Sequence, residues 1–243
     1  MDWREFAVQM ASMARELLAQ ESVSATLERI TSSAVELIDG CDAAGVLVLG
    51  NGRAETLAPT DRLVNDSDRL QEQLGEGPCL DAARAGHPVF RIADLDDEPG
   101  RWPSYAPQAH ALGIGSVMGF LLYTDDDDHL GALTLYSKRP GAFTDACETA
   151  GWLLASHAAV AFSSAREHAS MRRAVETRHV IGEAMGILMA RHGLDEDGAF
   201  DVLRRYSQEH NVKLREVARQ LCEQGTLQDG GTPPGPGPSR AGA

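Results

Sequence analysis

Several things are scarce in this sequence. No stretch approaches the ~20 consecutive apolar residues that a membrane-spanning helix requires, and no N-terminal run joins a basic region to an apolar core and a small-residue cleavage site. A cytoplasmic protein is therefore expected. Cysteine is sparse: Cys41, Cys79, Cys147 and Cys222 lie far apart with no CxxC pair, which leaves neither zinc-ligand spacing nor a disulfide framework and predicts reduced, mostly buried thiols. Catalytic signatures are missing as well. The chain has no GxxxxGK[ST], no HExxH and no nucleophile motif, and its paired carboxylates occur only within acidic runs, so an enzyme is not expected. The tetrad "DDDD" before His129 packs its acids consecutively, without the spaced ligands of a calcium loop, and reads as a solvated hairpin tip; no metal site is expected.

Basic charge is in short supply overall. The net charge of −14 argues, taken whole, against a polyanionic partner. Its distribution points the other way. Residues 1–165 hold 11 Lys/Arg and 25 Asp/Glu, whereas residues 166–224 hold 10 of each, with Arg pairs at Arg172 and Arg173 and at Arg204 and Arg205. The later segment can therefore present local positive surfaces.

What is present has clear periodicity. Phe6, Met10, Met13 and Leu17 make one helical stripe, and Val23, Leu27, Ile30, Ala34, Leu37 and Ile38 make a second, capped by Ser22 and stopped at Gly40. "AAGVLVLG" reads as a buried strand, with "RAETLAP" as its hairpin partner, and a polar helix is predicted over Leu63 to Leu74. A short helix over Leu80 to Ala85 and the strand "PVFRIADL" follow. "EPGRWPSYAPQAHALGIGS" reads as a loop with three prolines. The runs "VMGFLLY" and "LGALTLYS" form an antiparallel pair, apolar enough to be covered on both faces.

From Thr144 and Asp145, as caps, no proline interrupts the chain up to Gly225. One helix of about 45 residues, roughly 70 Å long, is predicted, ending at Gly193 in a left-handed cap with His192 in its last turn. Its middle, Ser163 to Arg173, is polar with a weak heptad. Two short helices come next, one from Asp195 with Ala199, Phe200, Leu203 and Tyr206, the other with Leu214, Val217, Ala218 and Leu221. The tail beyond Gln224 has nothing to bury and should be disordered.

Two glycines, Gly182 and Gly186, interrupt the apolar run "IGEAMGILMARHG", at roughly 1 kcal/mol each relative to Ala. Something close by should need the missing side chains: another backbone, one of the two following helices, or a stacked nucleobase. The stretch Val180 to Leu221 resembles the ANTAR domain, through Ala184-x-Gly186-x-Leu188-Met189, Ala199-Phe200-x-x-Leu203-Arg204 and Lys213-Leu214-x-x-Val217-Ala218. One departure is Gly198, which stands where a capping carboxylate is expected. The resemblance implies a three-helix module that binds RNA stem-loops, relieves transcription termination and works as a homodimer. A reader of RNA loops needs cations for phosphates and small or flat surfaces for splayed bases. Arg191, Arg204, Arg205, Lys213 and Arg215 supply the first, and Ala184 with Gly186 the second. Solvated helix faces are the plainer use of those arginines, and a helix-turn-helix DNA reader is the competing reading.

Upstream, "GEGPCLDAARAGHPVFRIADL" and "GIGSVMGFLLYTDDDDHLGALTLYSKRPGAFTD" resemble a GAF domain, implying an α+β sensor with an antiparallel sheet and flanking helices. Cys79, His87, Trp102, Tyr105 and His110 are candidate groups for a small-molecule pocket. The same residues have plainer uses: a buried thiol at Cys79, a surface turn at His87, core aromatics at Trp102 and Tyr105. The expected organisation is an N-terminal helix (1–21), the GAF-like domain (22–165), the ANTAR-like domain (166–224) and the tail (225–243).

Overall fold

The computed structural model describes residues 3–50, 53–85, 89–95, 100–123 and 129–227. His87, the tetrad Asp125 to Asp128 and residues 228–243 of the tail lie outside the described residues. The chain divides into two compact units, Met1–Ala169 and Ser170–Ala243.

The first unit opens with α1 (Trp3–Leu18) and α2 (Val23–Leu37). All four residues of the α1 stripe are buried, as are Leu27, Ile30, Ala34 and Ile38. Ser22 caps α2, its side chain accepting from the backbone N–H of Ala25 at 3.1 Å. Gly40, at φ +81°, turns the chain in a conformation that favours glycine. Strands β1 (Ala43–Gly50) and β2 (Arg53–Leu57) pair antiparallel, followed by α3 (Arg62–Leu74), α4 (Pro78–Ala85) and β3 (Val89–Ile92). After α5 (Tyr105–Ala111) come β4 (Ser116–Tyr123) and β5 (His129–Ser137).

The five strands form one antiparallel sheet in the order β2-β1-β5-β4-β3. Alternation along each strand divides the side chains between two apolar layers. On one face Ala44, Val46, Met118, Phe120, Leu122, Leu133 and Leu135 pack against α1, α2 and the start of α6 (Asp145–His192). On the other, Ala43, Leu47, Val117 and Tyr136 meet Val64 of α3, Cys79 of α4 and Tyr105, Ala106 and Ala109 of α5. The inner strands β4 and β5 are thus covered on both faces, as their unbroken apolar runs require.

The expected loop "EPGRWPSYAPQAHALGIGS" contains α5, which local sequence conceals. Pro107 sits in its first turn, where a missing N–H costs nothing. The orphan donors of that turn are met from a distance: Glu76 Oε1 accepts from the backbone N–H of Ser104 at 2.6 Å and of Tyr105 at 2.7 Å.

α6 is one helix of 48 residues. Thr144 accepts from the N–H of Cys147 at 3.4 Å at its start. At its end Gly193, φ +64°, donates its N–H to the carbonyl of Met189 at 3.0 Å. In the second unit the C-terminal part of α6 packs with α7 (Glu196–Glu209) and α8 (Leu214–Gln224), around Ala184, Leu188, Ala199, Leu203, Val217, Ala218 and Leu221.

Candidate nucleic-acid interface and sensor core

Asp195 starts α7 by accepting from the N–H of Gly198 at 2.9 Å. A Cβ at Gly198 would come within 3.0 Å of that carboxylate oxygen, so the residue that departs from the expected pattern gives the cap room. At the other end Asn211 takes φ +51°, and Ser207 accepts from the N–H of Val212 through its carbonyl while donating its hydroxyl to the Val212 carbonyl at 2.6 Å. This tight turn feeds α8, whose start carries Lys213 and Arg215, both exposed.

The expected nucleic-acid residues do not share one environment. Arg204 and Arg205 are exposed on α7, where they line one shallow hollow with Leu194, Gly198, Asp201, Val202 and Gln208. Arg204 pairs with Asp201 at 2.8 Å and Arg205 with Glu209 at 4.0 Å; Arg215 pairs with Glu216 at 3.2 Å. Solvent-exposed pairs of this kind contribute about 0.2–1 kcal/mol, so a phosphate can compete for these guanidinium groups. Arg191, also exposed, donates to the carbonyl of Gly225 and so ties the end of α6 to the end of α8.

Ala184 needs a correction. It is wholly buried among Leu188, Ala199 and Leu203, because its small size lets α7 and α8 approach α6 there, and it offers no surface to a base. The two glycines answer the opposite way. A Cβ on Gly182 or Gly186 would meet nothing within 4 Å, so neither is required by α7 or α8. They form the floor of an open groove lined by Arg178, Ile181, Met185 and Met189 of α6 and by Glu196, Asp197 and Phe200 of α7.

In the first unit, Cys79, Trp102 and Tyr105 are fully buried in the second apolar layer. His110 stands exposed near the end of α5, away from them by burial. Around Cys79 the structure gathers polar groups that the sequence did not single out. Asp68 of α3 accepts from Thr56 Oγ1 at 2.7 Å, from the Tyr136 hydroxyl at 2.9 Å and from Gln71 Nε2 at 3.4 Å. Gln71 Oε1 in turn accepts from the N–H of Cys79 at 2.9 Å, Ser67 and Tyr105 share a hydroxyl contact at 2.8 Å, and Tyr136 Oη lies 3.6 Å from Cys79 Sγ. Burial pushes the Cys79 thiol up to about 12 and raises Asp68 above the usual carboxylate range. Burial likewise raises the phenols of Tyr105 and Tyr136. The thiol is a neutral, packed group at physiological pH. Ser67, Asp68 and Gln71 are not evident from sequence because a helix as polar as "RLVNDSDRLQEQL" reads as solvent-facing; only their places three, four and seven residues after Val64 mark a buried face.

The family model of the GAF domain matches residues 20–163, more than half the chain, and that of the ANTAR domain matches residues 169–221. The chain belongs to the GAF family and carries an ANTAR domain. No curated protein matches it. Solved structures share the sensor fold. The GAF domain of a phosphoenolpyruvate-protein phosphotransferase from Coxiella burnetii aligns over 70% of this chain and 99% of its own at 18% identity, with a TM-score of 0.53. Its Acinetobacter counterpart aligns over 69% and 96% at 13% identity, TM-score 0.50. The photosensory core module of the Stigmatella aurantiaca phytochrome aligns over 82% of this chain and 44% of its own at 12% identity, TM-score 0.55.

GAF domains are sensors and ANTAR domains are RNA-binding antiterminator regulators, so this GAF–ANTAR chain is a sensor-linked regulator. Among the described residues, no helix is long and apolar enough to cross a membrane.

Proposed function

We propose that this GAF–ANTAR protein is a cytoplasmic, non-catalytic regulator that binds RNA stem-loops as a homodimer and acts in transcription antitermination in response to a signal received by its GAF domain. The observation that carries the reading is the exposed cationic set on α7 and α8, Arg204, Arg205, Lys213 and Arg215, within the ANTAR match. Phosphates of a folded hairpin are the polyanion such a set fits, and its three ion pairs are weak enough to open. Neutral charge in this segment matters here. The acidic first 165 residues repel nucleic acid, which confines binding to the ANTAR surface.

The helix-turn-helix alternative asks α8 to read base edges in a major groove. Val217, Ala218 and Leu221 of α8 are spent on the core, and Glu216 on its exposed side already engages Arg215 and Arg219, at 3.2 and 2.9 Å. That favours RNA over duplex DNA.

Competition decides between them. Purified full-length protein is titrated against a labelled hairpin RNA selected from transcripts that co-purify with it, with unlabelled duplex DNA and unlabelled hairpin as competitors. Displacement by hairpin and not by duplex supports the reading, while preferential displacement by duplex transfers the protein to the DNA-binding class. Mass spectrometry of the same preparation identifies any small molecule carried by the GAF domain.

A further inference from the structure

The end of α7 carries a pair of stacked rings, one seated on the core and one in solvent. Tyr206 and His210 are four residues apart, so their side chains are neighbours on the helix surface. Their ring centroids lie 4.0 Å apart and their planes are inclined by only 18°. Tyr206 is half-buried and packs against the core that Ala184, Leu188, Leu203 and Val217 share. His210, stacked on it, is exposed.

The outer ring is held more firmly than an exposed side chain needs to be. His210 Nδ1 lies 3.0 Å from the carbonyl oxygen of Tyr206, and since a carbonyl can only accept, Nδ1 carries the proton. The backbone N–H of His210 donates to the same carbonyl at 3.1 Å. Just beyond, Asn211 takes φ +51° and Ser207 exchanges two hydrogen bonds with Val212, at 3.1 and 2.6 Å, which fixes the turn on which the ring is mounted. An exposed side chain ordinarily keeps its rotamer freedom and loses it on binding a ligand. At His210 the stack and the hydrogen bond have already removed that freedom. A planar group laid on its outward face therefore meets a preorganised plate.

The charges beside the plate decide which planar group it fits. Arg205 directly precedes Tyr206, Lys213 follows His210 by three residues, and Arg215 comes two residues later, all three exposed. An aromatic face between cations matches a nucleotide, which joins a π-faced base to anionic phosphates. Bases inside an RNA stem are already stacked and paired, so only a base splayed out of a loop can lie on such a plate.

We infer that Tyr206 and His210 form a stacking plate for one unpaired base of the RNA loop, received on the face of His210 that points away from Tyr206, with Arg205 and Lys213 meeting phosphates of the same strand. This rests on the RNA binding proposed for α7 and α8 and adds the contact that tells a loop from a stem. The cations grip any RNA strand, whereas the plate requires an unstacked base.

The test is a double-mutant cycle on the full chain. Its probes are the hairpin retained from co-purified transcripts, the same hairpin with an abasic site at each loop position in turn, and a blunt duplex RNA of the same stem. His210→Ala should weaken binding of the intact hairpin by about tenfold, in the range of one lost base stack, and leave the blunt duplex unaffected. At one loop position the abasic site should weaken binding to the wild-type protein to the same extent, and should cost nothing further in His210→Ala. His210→Phe, which keeps a ring but has no nitrogen for a phosphate or a base edge, should keep most of the wild-type affinity. The plate is overturned if the two losses add at every loop position, if His210→Ala weakens the blunt duplex as much as the hairpin, or if His210→Phe binds as weakly as His210→Ala with an unchanged melting temperature. Wild-type affinity in His210→Ala would likewise remove the plate and leave RNA binding standing. A wild-type protein that binds no hairpin would remove the RNA reading itself, and the plate with it.

Discussion

The hydroxyl of Tyr136, in the central strand β5, donates to the buried carboxylate of Asp68 on α3 at 2.9 Å, joining sheet and helix across 68 residues of chain. Burial raises Asp68 above its ordinary range, so over the window between the two values the folded protein holds a proton that the unfolded chain has released. Stability must therefore fall as pH rises through that window. We expect Asp68→Asn to flatten this decline, and Asp68→Leu to cost about 2–4 kcal/mol by leaving the Thr56 and Tyr136 hydroxyls without their acceptor. Urea midpoints measured at half-unit pH steps check both. An unchanged pH slope in Asp68→Asn would place the proton elsewhere.

Glu76 governs α5 without belonging to it. Its two hydrogen bonds to Ser104 and Tyr105 do the work of an N-cap, since Ser104 makes no side-chain cap bond of its own. Glu76→Ala should cost about 1 kcal/mol, in the range of lost caps. Amide exchange should quicken in residues 104–111 before anywhere else in the sensor. Uniform quickening would mean that α5 is held by Trp102 and Tyr105 alone.

The helices and strands with a private signal were legible in the sequence. Phe6, Met10, Met13 and Leu17 sit on one face because four apolar residues at helical spacing have no other arrangement that buries them together. Ser22, Asp195 and Gly193 act as caps through local bonds that a single chain segment contains. α5 was hidden because its cap lies 28 residues away. Asp68 was hidden because a buried carboxylate becomes tolerable only when Thr56, Gln71 and Tyr136 converge from three elements. The exposed and the buried small residues of "GEAMG" could not be separated either: Ala184 faces the core and Gly182 and Gly186 face outward, which depends on where α7 crosses.

That separation can be measured. Among the described residues nothing occupies the space where a methyl group on Gly182 or Gly186 would stand, so alanine at either should slow amide exchange along 178–190 of α6 in dilute monomer, by about 0.5–1 kcal/mol each. Ala184→Leu, which overfills the core, should lose about 1–3 kcal/mol. Gly193→Ala should also destabilise, by about 1 kcal/mol, because its φ of +64° strains any side chain. Loss of stability in Gly186→Ala would mean that the groove is filled within one chain.

Arg204 and Arg205 offer the sharpest separation of electrostatics from folding. Both are more than half exposed, and removing them takes away two cations and leaves Asp201 and Glu209 uncompensated on the same surface. Arg204→Ala with Arg205→Ala should therefore weaken hairpin binding by more than the loss of two phosphate contacts, with the melting temperature nearly unchanged. The salt dependence isolates the phosphate part: the slope of log affinity against log salt should fall by about two, one per contact. Asp201→Asn should shift affinity the other way, because it releases Arg204 from its 2.8 Å partner without removing the guanidinium. Titrations between about 50 and 200 mM salt span the range over which such contacts change affinity most. A double variant that keeps the wild-type slope would mean that α7 does not face the RNA backbone, whatever the fate of the fold.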